Sequence, residues 1–215
     1  VGPFGSLPAA QAEQLGELNF PTSGSAKAQE HFLQGVKYLH NFGFEDAAVA
    51  FQAASKVEPN FAMAYWGEAL SHNHPLQPGR DLETPRKVLA RLGASPAERA
   101  AKAPTPREVG LLAAVEILYG EENDAARSFA YAEAMAQLAT QYPEDEELQA
   151  FYAVALLATV RHLRDTWGAE STFPVRMKAG AIAQDVFRKH PNHPGAAHYI
   201  IHAFDDPVHA HLALT

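Results

Sequence analysis

The stretch Ala28–Phe61, AQEHFLQGVKYLHNFGFEDAAVAFQAASKVEPNF, decides the fold. Its apolar residues recur at spacings of three and four, alanine is frequent, and β-branched residues stand apart from one another. That is the pattern of amphipathic helix. Asn41-Phe42-Gly43-Phe44 breaks the pattern as a tight turn, in which Gly43 is expected to take a positive φ. Pro59 stops the second helix. Gly35, Tyr38, Ala47, Phe51, Ala54 and Pro59 fall at the offsets of a helix–turn–helix repeat of about 34 residues. Gly35 and Ala47 allow two antiparallel helices to approach closely, and Tyr38 and Phe51 fill the space between them.

The register continues outward. A third helix is predicted from Phe61 through Tyr65 and Trp66 to His72, ended by His74-Pro75-Leu76-Gln77-Pro78-Gly79. Helices are expected at Leu82–Leu92 and Pro106–Tyr119, with Ser95-Pro96 and Thr105-Pro106 each pairing an N-cap with a proline at the first helical position. A further pair is expected at Asp124–Gln141 and Glu146–Leu163. An irregular connection follows over Arg164–Pro174, then a helix Val175–Lys189 and a short last helix to about Phe204. Helix–proline–helix junctions recur at Glu58-Pro59-Asn60, Tyr142-Pro143-Glu144 and His190-Pro191-Asn192. The sequence therefore predicts an all-α chain built as a tetratricopeptide-like helical-hairpin solenoid. An extended segment over residues 1–24 precedes a solenoid over 25–215, with 28–61 its clearest repeat.

Composition narrows the function. Of the 215 residues 47% are hydrophobic, enough for a core. There is no cysteine, which removes disulfides, thiolate metal sites and a cysteine nucleophile. A formal net charge of −8 disfavours a nucleic-acid or anionic-membrane binder and suits cations or basic partners. No apolar run is long enough to span a membrane. The opening Val1–Glu17, loose and free of an initiator methionine, reads as a processed terminus, so a periplasmic or extracellular location is expected, with the cytoplasm as the alternative. The acidic pair Glu121-Glu122 and the run Glu144-Asp145-Glu146-Glu147 are expected to be helix-start charges at the positive end of a dipole.

Four blocks are more distinctive than the repeat pattern. They are Leu39-His40-Asn41-Phe42, Phe61-Ala62-Met63-Ala64-Tyr65-Trp66-Gly67-Glu68-Ala69, His72-Asn73-His74-Pro75, and the run from His193-Pro194-Gly195-Ala196-Ala197-His198-Tyr199 to Asp205-Asp206-Pro207. Through them the chain resembles bacterial tetratricopeptide-like proteins of largely unassigned activity, over roughly residues 30–210. Members of that family generally continue with further helical repeats and another histidine-bearing block. The resemblance implies the fold and little about activity.

Histidine is the remaining signal. The chain has 11, and six lie in its last 26 residues. His198 and His202 are four apart and share one face of a predicted helix, with Asp205 three further on and Asp206 beside it. Two imidazoles and a carboxylate are ligands that a divalent metal takes. The repeat register adds His40 and His74 to the same inner wall. The expected metal set is thus His198, His202, Asp205, Asp206, His40 and His74, holding zinc, copper or iron. A metal-free buried polar network is the competing reading. His190 is expected to bond the last carbonyls of the preceding helix, and His209 and His211 to be surface residues. His-Glu-x-x-His, a Gly-rich phosphate loop and a nucleophile elbow are absent. The expected function is a scaffold whose concave groove holds a protein or peptide and carries the metal site. The alternatives are a self-assembling subunit, as homo-oligomer or filament, and a metal-dependent hydrolase or oxygenase. Leu212 and Leu214 are expected to cap the last half-repeat.

Overall fold

The structure, a computed structural model, describes residues 15–79 and 81–214. Of the expected segment 1–24, residues 1–14 lie outside the described residues. Among the described residues the regular structure is entirely helical. We number the helices α1 Ala26–His40, α2 Phe44–Val57, α3 Ala62–Leu70, α4 Glu83–Leu92, α5 Pro96–Ala100, α6 Pro106–Leu118, α7 Asp124–Gln141, α8 Glu146–Trp167, α9 Phe173–Lys189 and α10 Pro194–Ala203.

Local signals set most boundaries. Ser95 and Thr105 accept backbone N–H bonds from Glu98 and Glu108, each ahead of a proline in the first turn. Asn123 and Asp145 cap α7 and α8 in the same way. The expected irregular stretch Arg164–Pro174 is corrected. Helix α8 runs on to Trp167, Gly168 breaks it at φ 85, and a 3₁₀ turn Ala169–Thr172 leads into α9. The positive φ in the α1–α2 turn belongs to Phe42 (φ 57) and not to Gly43 (φ −80). The Gly43 N–H reaches Tyr38 O at 2.9 Å and the Phe42 N–H reaches Leu39 O at 3.0 Å, a Schellman closure that puts the left-handed residue at position 42. A phenylalanine there costs about 1–2 kcal/mol.

Helices pack on their sequence neighbours. Phe51 of α2 lies against both Gly35 of α1 and Gly67 of α3, where the absent side chains leave room for its ring. The described part of the amino-terminal segment contributes to the core. Phe20 is fully buried, 5.1 Å from Phe32 and 5.7 Å from Trp66 between ring centres. Phe151 of α8 closes the same cluster, 5.3 Å from Trp66. Tyr38, Phe51, Tyr65 and Trp66 are core residues, as the pattern predicts. Beyond neighbour packing, α10 also touches α8 and returns to α1. The chain path thus brings the last α-helix back onto the first among the described residues. At this end Leu212 packs on the core, whereas Ile201, Val208 and Leu214 stay exposed.

Candidate metal centre

The return of α10 to α1 creates the site. His40 is the last residue of α1, Glu147 lies in the first turn of α8, and His193 is the N-cap of α10. All three side chains are at most 2% exposed. Their ligand atoms lie within 4.8 Å of one another, a grouping that could hold a metal ion. Glu147 joins the two rings: one carboxylate oxygen is 2.8 Å from His40 Nε2 and the other is 3.1 Å from His193 Nε2.

Hydrogen bonding fixes the protons. His193 Nδ1 accepts the Ala196 N–H at 3.0 Å, so its proton sits on Nε2 and is donated to Glu147. His40 donates from Nε2 to Glu147 and accepts the Tyr199 hydroxyl at Nδ1, 2.8 Å away. Burial alone would raise the Glu147 carboxyl, but His40 and His193 outweigh it and hold it down at about 2. Burial lowers the pKa of His40 against the pull of Glu147. Burial also pushes the Tyr199 hydroxyl well above its ordinary value, and Glu147 adds to that. Gly195 is required beside this network, because a Cβ there would lie 2.3 Å from His40 Nδ1.

A second group lies one step outward. His198 Nδ1 donates to the backbone carbonyl of His40 at 2.6 Å. That leaves the His198 Nε2 lone pair free to face His202 Nε2, 3.0 Å away. Burial, then the neighbouring His198, lowers the pKa of His202, while Asp205 is near enough to oppose the shift. The Phe42 ring covers both imidazoles, 4.3 Å from His198 and 5.6 Å from His202, stacked on the latter at 17°.

The predicted six-residue set therefore divides. His198 and His202 do converge, with Asp205 near. His40 contributes its carbonyl to that pair and its imidazole to the buried group. His74 is separated from the pair by two phenyl rings, stacking on Phe44 at 4.4 Å, which stacks on Phe42 at 5.3 Å. Asp206 is occupied elsewhere: it accepts from His209 Nδ1 at 2.8 Å and from two backbone N–H groups, and lies 3.4 Å from Arg176. His190 pairs with Glu146 at 2.8 Å rather than with helix carbonyls, and His209 is the partner of Asp206 rather than a plain surface residue. The expectation of one open inner wall fails at His40, which is fully buried together with His193 where α10 meets α1 and α8.

No family model, curated protein or solved structure matches the chain. Chemistry and geometry thus carry the functional argument. No helix among the described residues is long and apolar enough to cross a membrane.

The network has a measurable consequence. His40, His72 and His202 have lowered pKa values from an ordinary 6.5, and Glu147 is lowered from 4.5. In each case the folded state favours the deprotonated form more than the unfolded state does. The stability from the histidines is present above pH 6.5 and is lost as pH falls below it; that from Glu147 is lost between 4.5 and about 2. Thermal melts followed by circular dichroism should show the melting temperature level near pH 7.5 and falling as pH drops from about 6.5 to 5. A flat or rising profile would contradict the assignment.

Proposed function

We propose that the chain is a tetratricopeptide-like helical scaffold that binds a divalent transition metal through His198 and His202, with Asp205 the nearest carboxylate. The hairpin reading is supported by α1–α3, where Gly35 and Phe51, both at repeat offsets, pack together and Gly67 of α3 meets the same ring. The metal reading rests on one observation: the two Nε2 atoms are 3.0 Å apart while His198 Nδ1 is held by a backbone carbonyl. A metal-bound histidine commonly donates its other N–H to a carbonyl or carboxylate, which fixes the tautomer and aims the free lone pair. His198 has that bond already. His202 becomes a ligand by moving one proton from Nε2 to Nδ1.

The strained Phe42 adds support. A non-glycine residue held in the left-handed region is tolerated where surrounding structure or function demands it. Here its ring shields both imidazoles, as an apolar wall beside a metal would. Zinc, copper and iron all accept imidazole ligands, and the other positions would be filled by Asp205, water or a side chain from a bound partner. A metal so placed braces the end of α10 and offers open coordination sites to a peptide or protein.

Equilibrium dialysis against zinc and copper tests the reading. Losing an outer-shell partner typically costs about 10–100-fold in metal affinity, so losing a ligand should cost at least that much. His198→Ala and His202→Ala should each weaken binding by about tenfold or more. If both variants bind metal as the parent does, the proposal is wrong.

A further inference from the structure

We infer that His40, Glu147 and His193 form a second divalent-cation site, closed inside the α1–α8–α10 junction and reached from a polar cleft beside the amino-terminal segment. The sequence expectation placed His40 with His198 and His202. The buried grouping has different members and different chemistry.

Three features carry the inference. The first is the donor set. Two imidazoles and one carboxylate, each from a different element, bring their ligand atoms within 4.8 Å. This is a set that zinc and other borderline divalent metals take. The second is charge. Glu147 is 1% exposed, and its ion-pair partners among the described residues are His40 and His193. The hydrogen bond from Ala196 makes His193 Nδ1 an acceptor, which keeps that ring neutral. Glu147 thus brings the negative charge of the donor set, which a bound divalent cation would balance. The third is access. His193 is among the residues that line a cleft open to solvent, together with Glu17, Glu146, Lys189 and His190. Lys189, at its edge, is directed to Glu144 at 3.7 Å. Carboxylates along such a path draw cations inward.

Ligation requires defined proton movements. His40 frees Nε2 by shifting its proton to Nδ1, where the Tyr199 oxygen can accept it. His193 cannot do the same while Nδ1 accepts the Ala196 N–H. It must either lose its proton to solvent, becoming an imidazolate, or give up the cap of α10. A cation here should therefore enter and leave slowly. The half-exposed His198–His202 pair should exchange freely.

The whole chain, stripped with a chelator and loaded with Zn²⁺ alone, tests this. Metal analysis after dialysis should find two equivalents, one of which survives a brief chelator wash. His193→Asn removes the imidazole and keeps an N-cap acceptor. Glu147→Gln removes the charge, and the amide is accommodated by flipping the His40 tautomer. Both variants should lose the retained equivalent and keep the exchangeable one. The double variant His198→Ala/His202→Ala should do the reverse. Retention of the wash-resistant zinc in both His193→Asn and Glu147→Gln would overturn the inference, as would a parent chain with no wash-resistant zinc. On the parent, the imidazole Nε2 protons of His40 and His193, slow to exchange because buried, should vanish from the NMR spectrum as zinc is added. Their persistence at full loading would equally overturn it.

Discussion

Replacing Glu147 by alanine should cost the metal-free protein about 2–6 kcal/mol, because two buried N–H donors each lose their acceptor at about 1–3 kcal/mol. A domain has only about 5–15 kcal/mol in total, so much of that margin would go. The reason is specific. His40 and His193 each direct an N–H at the carboxylate from positions at most 2% exposed, and water cannot replace it. The loss would spread through the junction. His40 would lose its anchor, and its neighbours Tyr199 and the His198 contact depend on where it sits. Glu147→Gln should cost clearly less, because an amide oxygen still accepts from His193 and the amide N–H₂ can donate to a flipped His40. Urea unfolding measures both. A loss under about 1 kcal/mol for the alanine variant would show that the network contributes little net stability.

Gly67→Ala should be the most damaging of the small substitutions in the first three helices. A Cβ at Gly67 would lie 2.3 Å from the Phe51 ring, and the ring has little room to retreat because it also packs on Gly35, where a Cβ would lie only 2.7 Å from it. Overpacking of this kind costs about 1–3 kcal/mol and sometimes more. The companion change Phe51→Leu frees the space, so the double variant should recover part of the loss. A double-mutant cycle would give an interaction energy of the opposite sign to the single losses. Strict additivity of the two would mean that α3 shifts as a body and that Phe51 is not the constraint.

Helix positions were largely legible because they rest on local rules. Pro59, Pro96, Pro106 and the caps Ser95 and Thr105 act within one turn of chain. Even so, the Arg164–Pro174 stretch misled. Its charged residues, glycine and proline suggest a loop, yet α8 gains about one turn of exposed helix there and the break falls only at Gly168. The turn residue was off by one for a similar reason. Glycine is the usual left-handed residue, but the Schellman hydrogen bonds select position 42 whatever residue occupies it.

The residues of the two proposed metal sites divide along the same line. The spacing of His198 and His202 is a fact about one helix, and their convergence follows from 3.6 residues per turn. Glu147 could not be found that way. In sequence it sits in an acidic run at a helix start, where a carboxylate is normally a solvated charge at the dipole. His193 sits in a His-Pro turn, where an N-cap is the ordinary reading. That reading is correct, but it says nothing of the ring's second nitrogen. The local signals that could have been used, an acid at the second helical position and a histidine at an N-cap, are common where no site exists.

Sequence by itself determined most of the helices, the close approach at Gly35 and the His198–His202 pair, because each depends on neighbours within a few residues or one repeat. Only the tertiary structure decided which charged groups lie inside. Burial is set by the curl that carries α10 back onto α1, and contacts between residues as far apart as 40, 147 and 193 leave no periodic trace in the chain.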